Sequence, residues 1–69
     1  MIKFRLEGSE YIELIKLLKF TNICGSGGEA KHIVDEGEVK LNGVPESRKR
    51  AKIRSGDKVE VFNEVIEVE

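Results

Sequence analysis

At Gly37 the spacing of the apolar residues switches from a helical period to a period of two, and no other feature constrains the fold as much. Upstream, Ala30, Ile33 and Val34 make one apolar stripe at helical spacing. Ser26 is placed to cap that helix, and Glu29, three residues on, is expected to reach back to the Ser26 amide as a capping box. Gly37 supplies the stop. Downstream, Val39 and Leu41 point one way and Lys40 the other, and Asn42-Gly43 is a strong tight-turn signal. A second alternating pair, Val59 and Val61, follows the Gly56-Asp57 turn. Between the two strands lies a basic loop holding Arg48, Lys49, Arg50, Lys52 and Arg54. The local order is capped helix, strand, cationic loop, returning strand.

The flanking segments complete an α+β plan. Ile2, Phe4 and Leu6 alternate with Lys3 and Arg5, the mark of a short half-buried strand. Gly8-Ser9 breaks it, and Ser9 is the expected cap of a first helix. Tyr11, Leu14, Ile15 and Leu18 fall at i, i+3, i+4 and i+7, with Ile12 and Leu17 widening the face. Glu10 and Glu13 near its start and Lys16 and Lys19 near its end suit the helix dipole. Val59 to Val68 reads as a hairpin around Asn63-Glu64, with the N-terminal strand pairing onto it. Ile53 anchors the basic loop, and Pro45 and Ser55-Gly56 pin its ends. The expected fold is two packed helices over a small, mostly antiparallel sheet. The 69 residues form one domain over 1–69, too small to enclose a large pocket, since such a chain buries only about 60% of its unfolded surface.

Ser26, Glu29-Ala30-Lys31, Ile33-Val34, Gly37, Val39, Asn42-Gly43, Gly56-Asp57 and Val59-Glu60-Val61, taken as an ordered set, resemble the S4 RNA-binding domain. That module is named after protein four of the small ribosomal subunit. The match spans about half of the chain. The Ser-Gly-Gly start and the Arg-Lys-Arg cluster look most like the small stand-alone bacterial members, the YbcJ/YaaA type. The resemblance implies an αL RNA-binding motif and structured RNA, ribosomal RNA foremost. The RNA would lie between the N-terminus of the second helix and the loop before the third strand. Lys31 matches a basic position of the family, whereas Gly27 and Gly28 stand where many members carry two arginines. The glycines let a backbone approach a phosphate closely and so compensate in part.

Charge distribution agrees with that expectation more than net charge does. The chain carries −1 overall, which alone argues against a polyanion ligand. From Arg48 to Lys58, however, six bases face one acid, and from Phe62 to Glu69 there are three acids and no base. A charge run is most often a solvated surface, but five cations in seven residues repel one another and bring no stability. A phosphate backbone rewards the arrangement, Arg by its planar fork and Lys as a point charge. The expected contact residues are Gly27, Gly28, Lys31, Lys40, Asn42, Arg48, Lys49, Arg50, Lys52 and Arg54. About five phosphate contacts would cost roughly a hundredfold in affinity between 50 and 200 mM salt.

Other chemistries are weakly supported. One histidine, His32, and one cysteine, Cys24, give no metal-ligand spacing and no internal disulfide. No nucleophile stands beside a base, so neither catalysis nor a cofactor is expected. Phe4, Tyr11, Phe20 and Phe62 all fall in or beside core stripes, which predicts recognition by shape and phosphate rather than by stacking on single strands. No apolar run is long enough to span a membrane, and no signal peptide pattern opens the chain. These features predict a cytoplasmic monomer, in contact with the ribosome or its assembly factors. The competing reading is a protein-interaction adaptor in ribosome assembly or enzyme docking, its basic loop meeting an acidic partner.

Overall fold

A computed structural model describes residues 1–69. Nine elements follow in order: β1 (Ile2–Phe4), β2 (Ile12–Glu13), α1 (Leu14–Phe20), α2 (Gly27–Asp35), β3 (Val39–Leu41), β4 (Val44–Pro45), β5 (Lys52–Ile53), β6 (Lys58–Val61) and β7 (Glu64–Val68). Five strands form one sheet in the order β1-β7-β6-β3-β4, and β2 pairs with β5 in a second, two-stranded sheet. Only the β1–β7 pairing is parallel. The α+β architecture with two packed helices and a mostly antiparallel sheet is the one expected.

The sheet's two faces divide by the period of its strands. Ile66 sits between Ile2 and Val59, and Val59 in turn faces Leu41, so this cross-strand row turns inward. Val39 opposite Val61, and Val68 beside Phe4, add two further rows on the same face. Leu14, Leu17 and Leu18 of α1 and Ala30, Ile33 and Val34 of α2 close over them, all buried. Burying such side chains is the main driving force available to a chain of this size.

The caps of α2 follow the sequence closely. Ser26 Oγ accepts from the Glu29 N–H at 3.2 Å. The reciprocal bond lands one residue earlier than expected, with Gly25 N–H donating to Glu29 Oε2 at 3.3 Å. At the other end Gly37 has φ +77°. Its N–H reaches the Val34 carbonyl at 3.1 Å, and the Glu38 N–H reaches that of Ile33 at 3.3 Å. Those two bonds make a Schellman stop, and glycine is what permits the left-handed turn there.

Three expectations are corrected. Helix α1 begins at Leu14, so Tyr11 lies outside it and Ser9 is not its cap. The reason is non-local: Ile12 and Glu13 pair with Ile53 and Lys52 as strands. The first helical N–H groups are then satisfied by the basic segment's own carbonyls, Leu14 N–H to Ala51 O at 2.9 Å and Ile15 N–H to Lys49 O at 3.2 Å. Secondly, Lys52–Ile53 is strand rather than loop, and Pro45 belongs to β4. Thirdly, the last hairpin turns on Phe62-Asn63, with φ +51° and +70°, not on Asn63-Glu64. A bulky residue at positive φ is disfavoured, which is why the residue pair reads poorly as a turn. The N-terminal strand does pair with this hairpin, through β7.

Candidate nucleic-acid interface

The basic segment is built on an alternation. Ala51 and Ile53 are buried, and Arg50, Lys52 and Arg54 between and beside them are exposed. Lys52 and Ile53 alone are strand; Arg50 stands in the preceding turn, closed by the Ala51 N–H on the Arg48 carbonyl at 3.1 Å, and Arg54 just past the strand. The backbone is held by the β2–β5 pairing and by the two bonds to the start of α1. At its far end Asp57 closes the turn, accepting from the Arg54 N–H at 2.8 Å.

The five cations of the segment are in different electrostatic states. Arg48 is clamped: Glu46 accepts from its Nε at 3.1 Å, its Nη2 at 3.0 Å and its backbone N–H at 3.0 Å. This fork lowers the Glu46 pKa and raises that of Arg48. The Glu46 side chain is only 11% exposed, so the clamp is built into the fold. Lys49 Nζ stands 3.2 Å from Asp35 Oδ1, in the last turn of α2. Arg50, Lys52 and Arg54 have no carboxylate within 4.0 Å. Arg48, Arg50, Ala51 and Lys52 line one open depression. The acidic tail does not reach them: Glu69 pairs with Lys3 and Arg5, and Glu67 with Lys58.

Tyr11 completes the cluster. Lys52 Nζ lies 5.0 Å and Arg54 Cζ 5.7 Å from its ring centroid. The ring quadrupole steadies both cations without neutralising them, as a carboxylate would. Tyr11 was assigned to a core stripe on helical spacing. Together with Glu46 it touches the cations of this segment, which the one-dimensional pattern conceals. Phe20 and Phe62 are exposed as well, so of the four aromatic residues only Phe4 is half-buried.

Of α2, the closing turn is what touches the basic segment, through Asp35. Gly27, Lys31 and Asp35 follow at i, i+4 and i+8, hence on one side of the helix. Lys49 meets Asp35, so the segment adjoins the closing turn of α2 and the opening turn of α1. Gly27 is about 12 Å away along the axis. The segment thus meets the closing turn of α2 and not, as expected, its opening turn. A Cβ on Gly27 would meet nothing within 4 Å, and one on Gly28 only Ser26 Oγ at 3.9 Å. Neither glycine is demanded by its surroundings.

Two expected contacts stand elsewhere. Lys40 projects from the outer face of the sheet, in a shallow hollow with Glu38, Glu60 and Glu64. Asn42 is exposed but its amide is already engaged by the chain: Nδ2 donates to Asp57 Oδ1 at 3.0 Å and Oδ1 accepts from the Lys58 N–H at 2.8 Å. His32 is exposed, 3.8 Å from Glu36. Cys24 is buried, and burial first and the Glu29 charge second push its thiol pKa up, away from thiolate reactivity. No cluster of three or more His, Cys, Asp or Glu residues is placed to hold a metal ion, and no helix is long and apolar enough to cross a membrane.

Comparison with known proteins places this geometry in context. The S4 domain family matches residues 4–69. The Escherichia coli (strain K12) protein named "Putative RNA-binding protein YbcJ" is 38% identical over 68 residues, covering 99% of this chain and 97% of that protein. The Bacillus subtilis (strain 168) protein named "Probable ribosome maturation protein RlbA" is 40% identical over 53 residues, 77% of this chain and 75% of its own. The solution structure of YbcJ from E. coli, described as revealing an αL motif involved in RNA binding, superimposes with a TM-score of 0.77. That superposition covers 99% of this chain and 86% of the other at 38% identity.

Proposed function

The chain belongs to the S4 domain family, and on that premise we propose that it is a non-catalytic RNA-binding protein that lays an RNA backbone along Arg50, Lys52 and Arg54. The observation that carries this reading is the row itself: three exposed cations at alternate positions, on a buried Ala51-Ile53 footing, with no carboxylate within 4.0 Å of them. Lys49 joins when a phosphate displaces Asp35, and Arg48 contributes the outer edge of a guanidinium already held by Glu46. The line from Lys49 over Lys31 to Gly27 and Gly28 extends the track, with the free amides of the helix start at its end. Lys40 and Asn42 are left out, the first by its acidic surroundings and the second by its internal bonds.

The names of the relatives support a target in ribosomal RNA and a role in ribosome maturation, hence a place in the cytoplasm. Structured RNA fits the rigid cationic row, which offers point contacts at fixed spacing. The protein acts as a single module and as a monomer in this reading.

Salt titration of binding to a ribosomal RNA hairpin tests the assignment. Three contacts predict a log–log slope near −2.1, about a twentyfold loss between 50 and 200 mM salt, whereas five would give roughly a hundredfold. Replacing Arg50, Lys52 and Arg54 with Gln should abolish most of the affinity and leave circular dichroism unchanged. A folded triple variant that binds as tightly as the parent refutes the site. Cellular partners that survive nuclease digestion of a pull-down would instead favour a protein adaptor.

A further inference from the structure

Beside the cationic row lies a hollow that phosphate binding does not use. Phe4, Leu6, Tyr11, Ile12 and Phe20 line it together with the polar Arg5, Glu7 and Ser9, and its volume is ≈ 320 Å³. That is the lower end of the range of ligand clefts, about 300–1,000 Å³, and enough for one flat ring. Phe4 and Phe20 are stacked, with centroids 6.4 Å apart and planes 17° from parallel. Phe20, the last residue of α1, is 60% exposed, so one side of the stacked pair remains open to solvent. Fold stability gives no reason to leave a phenylalanine so uncovered, at a cost of about 25 cal/mol per Å² of apolar surface.

Tyr11 joins this hollow to the cations, because the same ring that lines it lies under Lys52 and Arg54. An occupant matched to both must join an aromatic plane to a phosphate within one short linkage. A nucleotide unit has that chemistry. Resting on the RNA-binding reading above, we propose that the hollow receives one unpaired nucleobase of the bound RNA, stacked on the Phe4–Phe20 pair while its phosphate lies on Lys52 and Arg54. In this reading the module adds to recognition by shape and phosphate a selection for a bulged or looped-out base. Glu7 in the lining offers an acceptor to a base carrying an exocyclic amine.

Two hairpin RNAs, identical except that one carries a single 2-aminopurine bulge, test this with the whole chain. The parent should bind the bulged hairpin about fivefold or more tightly than the paired one, with quenching of the 2-aminopurine fluorescence. Phe20→Leu should remove most of the preference and the quenching while affinity for the paired hairpin stays within twofold. Circular dichroism confirms folding, and Phe20→Gln, at the same exposed helix end, provides a second variant with the ring removed. If the parent binds both hairpins equally, the base site is refuted and the phosphate row stands. If it binds neither, both readings fall.

Discussion

Lys3, Lys58 and Lys40 on the outer face of the large sheet, and Arg50, Lys52 and Arg54 on and beside β5, are both groups of exposed cations carried on or next to strands. They differ in what stands opposite. Across the sheet, Glu67 lies between Lys3 and Lys58, and Glu60 lies across from Lys40, so each positive charge meets a negative one in the pairing register. Beside β5 the one acid in the pairing register, Glu13, has its carboxylate 3.7 Å from Lys16 instead, and the Asp57 carboxylate is spent on the Arg54 N–H and on Asn42. Cross-strand charge pairs contribute a few tenths of a kcal/mol and bind no partner. An unanswered row contributes nothing to folding and keeps its field for a ligand. Exposed lysine and arginine are therefore informative only together with their neighbours.

The sharpest way to break the comparison is through the footing of each row. Ile53→Ala should destabilise the protein by about 2–5 kcal/mol in chemical denaturation, because β5 has only Ala51 and Ile53 beneath it. Glu60→Gln on the sheet should change stability by less than about 0.5 kcal/mol. Equal effects would show the two rows to be equally well supported. Next in size is binding. The Arg50, Lys52 and Arg54 triple variant should lose about twentyfold or more in RNA affinity at low salt, whereas Lys3, Lys40 and Lys58 changed together to Gln should lose less than about twofold. Fluorescence anisotropy in one buffer decides between them.

Smaller effects sharpen the picture along α2 and at Glu46. Gly27→Arg with Gly28→Arg meets open space and should steepen the salt slope by about 0.7 per added contact. The same change should stabilise the helix by up to about 1 kcal/mol in thermal unfolding. Unchanged binding would show that the track ends at Lys31. Glu46→Gln should release Arg48 and steepen the slope by about one further contact. Its stability profile should also change in acid. The folded carboxyl pKa of Glu46 is depressed, so its contribution is complete above the ordinary carboxylate range and lost as pH falls through the folded value. The Gln variant should therefore show a flatter decline below that range, measured by urea unfolding at stepped pH.

How far the chain could be read before its structure depended on the distance over which each residue finds its partners. The α2 caps, the Gly37 stop and the Asn42-Gly43 turn rest on bonds within a few residues, and all are visible in the order of letters. Arg50-Ala51-Lys52-Ile53-Arg54 also alternates in the sequence, yet alanine is too indifferent between helix, strand and loop to advertise a strand. Tyr11 was misplaced because its three-residue spacing from Leu14 imitates a helix, while the pairing that overrides it joins residues some forty apart. Asn42 looked like a contact residue, since nothing local reveals that Asp57 and Lys58 occupy its amide. The Glu46 clamp spans two residues, but forms only because a turn folds the carboxylate back onto Arg48.

The amides of Leu14 and Ile15, bonded to the carbonyls of Ala51 and Lys49, give the cationic segment a second occupation. Whatever grips its side chains also quiets the strand that holds the beginning of the first helix. Isotope exchange at those two positions should slow when ligand is present, although neither residue touches it. A fluctuation deep in the core thus becomes a gauge of events at the rim.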